Sequence, residues 1–295
     1  HQVGPQWYYT DENGNKLLGL QEIDGKLYYL DNTESTSLVT GYLAKDKVLS
    51  PEQKESTRYP RTSSSTIIEP KIYSYYYFDA ETGAAVTNQF VNWKGNWYYF
   101  GKDGKALLFD QVINGQHLYF DANGRQVKGG FVTNTDGSRS FYHWNTGDKL
   151  VSTFFTTGHD RWYYADDRGN VVTGAQVING QKLFFDTDGK QVKGAFATNA
   201  NGSRSYYHWN TGNKLVSTFF TSGDNNWYYA DAKGEVVVGE QTINGQHLYF
   251  DQTGKQVKGA TAANPDGSIS YYDVHTGEKA INRWVKIPSG QWVYF

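Results

Sequence analysis

Gln111-Val-Ile-Asn-Gly-Gln-His-Leu-Tyr-Phe-Asp121 returns as Gln176-Val-Ile-Asn-Gly-Gln-Lys-Leu-Phe-Phe-Asp186 and again as Gln241-Thr-Ile-Asn-Gly-Gln-His-Leu-Tyr-Phe-Asp251, each copy 65 residues after the last. Within each copy an Asn-Gly pair sits between two short runs of β-branched and aromatic residues. Both positions of such a pair tolerate positive φ, so the stretch predicts a two-residue hairpin turn. An isolated hairpin is marginal in water, and a fixed period means that one small unit is stacked on copies of itself to build a continuous core.

Working outward, aromatic centres recur at Tyr98, Tyr119, Tyr142, Tyr163, Phe184, Tyr207, Tyr228, Tyr249 and Tyr272, in steps of 21 or 23 residues, three steps to the period. The expected fold is all-β: a β-solenoid of stacked β-hairpins, three hairpins (about 65 residues) per full period, with residues one period apart on the same edge. Residues 1–44 carry degenerate repeats around Trp7-Tyr8-Tyr9 and Leu27-Tyr28-Tyr29. Residues 45–74, polar and poor in aromatics, read as an inserted loop or junction. Residues 75–295 read as one continuous run of regular repeats. The last unit closes on Trp292-Val-Tyr-Phe295 with no polar cap, so truncation of a longer array is expected at both ends.

Aromatic residues make up 17% of the chain (24 Tyr, 16 Phe, 9 Trp) against a hydrophobic total of 38%, so rings must supply much of the core and still leave some for ligand contact. Cysteine is absent, which rules out disulfides and thiolate metal sites. Methionine is absent too, and a chain opening at His1 reads as a fragment or processed product. No apolar run is long enough for a signal peptide or membrane span, so any export signal is expected outside this sequence. The formal charge is −2 with basic residues evenly scattered, which argues against nucleic acid and for an uncharged ligand.

Gln111, Tyr119 and Lys128 recur as Gln176, Phe184, Lys193 and as Gln241, Tyr249, Lys258. An amide, an ammonium and a ring face together suit the hydroxyl rim and C–H face of a pyranose. The alternative is that the polar pair is solvated strand surface and the ring is core. Tyr99, Tyr164 and Tyr229, with Phe131 and Phe196, recur at the same period and are the next candidates for sugar contact. Asp121, Asp186 and Asp251 open Asp-x-x-Gly turns, in which the carboxylate caps backbone N–H groups. Asp186-Thr-Asp188-Gly resembles the start of a calcium loop but lacks the remaining carboxylates. His143 and His208 have no nucleophile or metal-ligand spacing around them and read as surface or packing residues. Paired carboxylates for glycoside chemistry should occur once, in one cleft, whereas the acidic positions here are repeated turn residues. No catalytic residue, metal or cofactor is expected.

By the stretch from Gln176 to Gly194, with Trp162-Tyr-Tyr-Ala-Asp and Val172-Thr-Gly-Ala-Gln176, the chain resembles the glucan-binding repeats of bacterial glucansucrases and glucan-binding proteins, strongly over residues 75–295 and weakly over 1–44. The resemblance implies a secreted or cell-surface, monomeric, non-catalytic module. Its implied partners are α-glucan polysaccharide such as dextran and isomalto-oligosaccharides, and its parent would be a sucrose-dependent glucosyltransferase. It also implies sugar pockets made of an aromatic platform with Gln and Lys partners, which map onto the trio above. Phe184 departs by lacking the phenol hydroxyl. Near the N-terminus Gln21 and Tyr29 align with Gln111 and Tyr119, but Thr40 stands where Lys128 does. The alternatives are a module for choline or cell-wall teichoic acid, which needs aromatic cages usually written by Gly-Trp pairs that this chain lacks, and a spacer that binds nothing.

Overall fold

The computed structural model describes residues 2–3, 6–30, 47–49 and 74–295. Among these there are thirteen two-stranded antiparallel sheets and no helix, so the fold is all-β and made of repeated hairpins. No helix of the described residues is long and apolar enough to cross a membrane. The hairpin of the opening motif pairs Phe109–Ile113 with Gln116–Phe120, and its Asn114 and Gly115 have φ of 52° and 79°, as a two-residue turn between right-twisted strands requires. Lys47–Leu49, which falls in the stretch expected as an inserted junction, pairs antiparallel with Tyr76–Phe78. Residues 45–46 and 50–73, together with the weak site at Thr40, lie outside the described residues.

The described residues group into two compact units, His1–Val151 with Asp167–Asn170, and Ser152–Asp166 with Val171–Phe295. In each unit the strands alternate by the period-2 rule. Along Gln116–Phe120 the residues Leu118 and Phe120 are fully buried while His117 is exposed and Tyr119 half-buried. Within each unit, hairpins are followed by a tail that bridges the hairpin's own second strand and then reaches back to the preceding hairpin. In the first unit the backbone N–H groups of Gln126 and Lys149 donate to the carbonyls of Trp97 and His117 at 2.7 and 2.8 Å. In the second unit those of Gln191, Lys214, Val236 and Gln256 donate to the carbonyls of Trp162, Lys182, Arg204 and Trp227 at 2.7 to 2.8 Å. These bonds satisfy the polar backbone that a stacked hairpin would otherwise bury unpaired. Hairpin-on-hairpin packing of this kind is the local step of a solenoid.

The rings fill the interfaces within each unit. Phe120, Leu118 and Ile113 form one cluster with Phe90 and Tyr99 packed against it. In the second unit Phe185, Leu183 and Ile178 repeat it with Phe154 and Tyr164, and Phe250, Leu248 and Ile243 repeat it with Phe219 and Tyr229. Burying one such ring or aliphatic side chain contributes about 1.5–3 kcal/mol.

Candidate functional site

The tail that reaches back to the preceding hairpin also builds a groove. Because the Gln191 N–H is bonded to the Trp162 carbonyl, Lys193 two residues later comes to the same side of the extended tail and reaches over the indole. Its Nζ lies 5.3 Å from the Trp162 ring centroid. The same construction places Lys128 Nζ 5.1 Å from the Trp97 ring and Lys258 Nζ 5.5 Å from the Trp227 ring. In the second unit Trp162, Lys193, Gln191, Trp209 and Asn210 line a cavity of about 700 Å³. Trp209 presents 72% of its surface to solvent, and Trp162 presents 37%. Asp160, Asp186 and Lys190 also line it, so with Lys193 the formal charges of the carboxylates and ammoniums cancel.

The equivalent groove of the first unit has Trp144 at the position of Trp209, with Lys128 donating from Nζ to the Asn145 carbonyl at 3.0 Å. Burial holds the Lys128 ammonium below its ordinary pKa. In the third copy Lys258 donates to the His275 carbonyl at 3.3 Å, and Val274 replaces the second tryptophan. The grooves therefore share a ring, an ammonium and a glutamine (Gln126, Gln191 or Gln256) whose amide donates to a turn carbonyl at 3.2 to 3.4 Å. Such a set can stack against one face of a sugar and donate to its hydroxyls.

Of the sequence-predicted trio, Lys128, Lys193 and Lys258 belong to these grooves. Gln111 and Tyr119 do not share a face of their hairpin: Gln111 pairs across with Leu118, and Tyr119 with Asp110. The same holds for Gln176 and Phe184 and for Gln241 and Tyr249. The three glutamine amides donate to the carbonyls of Leu108, Thr173 and Val238 at 2.7 to 2.9 Å, three residues back in their own chain. Gln241 also lines a smaller depression with Glu240, His247 and Lys279. There Lys279 Nζ and Glu240 Oε1 are 2.8 Å apart.

Tyr119, Phe184 and Tyr249 are half-buried against Tyr142, Tyr207 and Tyr272, at centroid distances of 5.8, 5.7 and 5.6 Å. Burial, Asp110 and Asp121 push the Tyr119 phenol pKa up. Tyr99, Tyr164 and Tyr229 face Phe90, Phe154 and Phe219 across their hairpins at 4.7 to 4.8 Å and pack on the core clusters. Phe131 and Phe196 pair with Phe141 and Tyr206, under the guanidinium groups of Arg139 and Arg204.

The remaining polar motifs serve turns. Asp186 Oδ1 accepts from the N–H groups of Asp188 and Lys190 at 2.9 and 2.8 Å. His143 Nδ1 accepts from the N–H groups of Asn145 and Thr146, and in the third copy Asp273 accepts from His275 and Thr276 instead. That shared role explains how Tyr-His in two copies becomes Tyr-Asp in the third.

The tryptophans are what the sequence reading passed over. Trp97, Trp162 and Trp227 recur at 65 residues, each one strand position from a buried tyrosine, so alternation alone turns them outward.

The choline-binding repeat model matches residues 111–154, 172–219 and 237–284, and a putative cell wall binding repeat model matches 1–16, 88–106 and 217–236. Over those residues the chain carries choline-binding-type repeats. Among its relatives, it is 37% identical over 97% of its length to Glucosyltransferase-S of Streptococcus mutans serotype c, and 35% identical over 98% to Glucosyltransferase-I of Streptococcus downei. It spans only 18% and 19% of those two relatives. Among solved structures, choline binding protein F from Streptococcus pneumoniae is similar with a TM-score of 0.59 at 18% identity, over 95% of this chain and 97% of that one, which bears on the fold alone.

Proposed function

We propose that this repeat array is a non-catalytic carbohydrate-binding module that holds α-glucan of the dextran type, and isomalto-oligosaccharides more weakly, as the polymer-holding part of an extracellular or cell-surface glucosyltransferase. The observation that carries the reading is the 65-residue recurrence of an exposed indole beside a lysine and a glutamine at Trp97, Trp162 and Trp227. A solvent-exposed indole offers a pyranose a flat apolar face, and the charge-balanced rim favours an uncharged ligand. The similarity to two glucosyltransferases supports the glucan and the parent activity, and it leaves the repeats without a catalytic part of their own. In this reading Lys128, Lys193 and Lys258 donate to sugar hydroxyls. Gln241 and its equivalents Gln111 and Gln176 serve a second, shallower contact, with Tyr119, Phe184 and Tyr249 offering what remains of their ring surface.

One stacked ring with a few solvated hydrogen bonds gives an affinity on the order of millimolar, since each net hydrogen bond contributes about 0.5–1.5 kcal/mol and association has its own entropic cost. Several such grooves on one polymer raise retention through effective concentration. The test is retention on immobilised dextran against a choline resin, with isomaltotriose as competitor. Dextran retention that isomaltotriose displaces only at far higher sugar concentration is expected. Combined replacement of Trp97, Trp162 and Trp227 by Ala should abolish it. If instead the folded triple variant is retained and the Tyr119, Phe184 and Tyr249 triple alanine variant is not, the assignment to the indole grooves is wrong.

A further inference from the structure

The three lysine ammoniums sit where a free cation would bind. A cation within about 6 Å of an indole centroid is attracted by the ring's quadrupole, and aromatic cages of this kind are the recognition sites for quaternary ammonium groups. Lys193 lies at 5.3 Å from Trp162 in a groove whose other wall is Trp209, and Asp160 and Asp186 stand on its rim. The backbone one residue on is pressed against that second wall: a side-chain carbon at Gly194 would meet the Trp209 Cβ at 3.3 Å. We infer that Lys193 is a tethered occupant of a latent quaternary-ammonium site, and that it is the residue that keeps the Trp162–Trp209 groove closed to choline-like cations while leaving its ring available to a neutral ligand.

The physical reason is competition. A tethered ammonium acts at an effective concentration set by its own stem, in the millimolar range or above, so a free cation of millimolar affinity is displaced in favour of the resident one. Charge adds to this. With Lys193 in place the formal charges of Asp160, Asp186, Lys190 and Lys193 cancel, whereas without it one net negative charge faces the two indoles. The third copy supplies an internal control, because Val274 replaces the second tryptophan and removal of Lys258 uncovers only one indole, that of Trp227. The inference concerns the same groove as the proposed glucan site, but it rests on ring and ammonium geometry and not on glucan affinity.

The whole chain is titrated with choline chloride, followed by tryptophan fluorescence and calorimetry, with sodium chloride as the ionic-strength control. The wild-type protein should show no saturable response in the millimolar range. K193A should bind choline roughly tenfold more tightly than wild type, the span expected of a newly available pair of ring faces. K258A should gain no more than about twofold, since it uncovers a single ring face, and the K193A/W209A double variant should lose the gain. Circular dichroism and melting establish that each variant is folded. If K193A does not fold, K193Q keeps the stem and removes the charge, and it carries the same test. A folded variant at Lys193 with the wild-type response, a K258A gain equal to that of K193A, or tight choline binding by the wild type would each overturn the inference. Dextran retention by the wild type, measured separately, decides the glucan reading whatever the outcome with choline.

Discussion

Gly147 and Gly115 share nearly the same positive φ and differ in what surrounds them, so replacing each by alanine separates conformational strain from crowding at the groove. Their φ values are 73° and 79°. An L-residue held in the left-handed region costs roughly 1–2 kcal/mol, and both variants bear that cost. A Cβ at Gly115 would meet nothing within 4 Å. At Gly147 it would run into the Gln126 amide, with Cδ at 3.0 Å, and lie 3.2 Å from the Lys128 Cγ. Forcing a carbon into packed side chains adds roughly 1–3 kcal/mol, and the displaced groups here are the glutamine and lysine of the first groove. For a unit of this size about 1 kcal/mol corresponds to about 2–4 °C, so G147A should melt roughly 2–12 °C below G115A. Thermal unfolding by circular dichroism reads this difference, and titration with isomaltotriose should show the Trp97 groove weakened in G147A and intact in G115A. Equal melting temperatures would mean that Gln126 and Lys128 yield freely, and that the tail is not held against its neighbour as described.

Asp273 accepts from the Thr276 and His275 N–H groups, which hold its carboxyl below the usual carboxylate range. A depressed folded pKa stabilises the chain above the unfolded value of about 3.9 and ceases to do so as pH falls through the folded one. D273N should therefore melt below wild type at pH 7, the gap closing as the pH falls through the folded pKa, and a gap independent of pH would refute the assignment. Tyr142 Oη donates to Asp110 at 3.0 Å, while Ala175 stands at the equivalent place beside Tyr207. Y142F should cost about 1 kcal/mol by chemical denaturation and Y207F less, because only the first loses a bond to a carboxylate; equal costs would contradict the pairing.

The hairpins were legible in the sequence because turn chemistry and strand alternation agree. Asn114-Gly115 needs two positive φ values, and Leu118 and Phe120 fall on the buried face that a period of two assigns them. The stacking step was less legible. It depends on a backbone bond from Gln191 to a carbonyl in the preceding hairpin, and main-chain partners leave no mark on residue type. The register across each hairpin was also hidden in the one-dimensional pattern, which shows that Gln111 and Tyr119 recur together but not that they face opposite ways.

The same distinction explains how the site was seen in part. Duplication copies structural and ligand-binding residues with equal fidelity, so recurrence alone could not rank Tyr119 above Trp97. Exposure ranks them: the Tyr119 ring, held half-buried against Tyr142, contributes mainly to stacking, whereas Trp97, one strand position from the buried Tyr98 in the preceding hairpin, turns its indole to solvent and lends one face to Lys128. Divergence between copies adds information that recurrence lacks. Where a turn was being capped, His143 could give way to Asp273 because both accept the same pair of N–H groups. Trp209 could not give way to Val274 on the same terms, since no aliphatic side chain supplies a ring face. The third groove has therefore lost one wall while keeping its platform and its lysine, and polymer bound along the array should rest more firmly on the grooves of Trp97 and Trp162 than on that of Trp227.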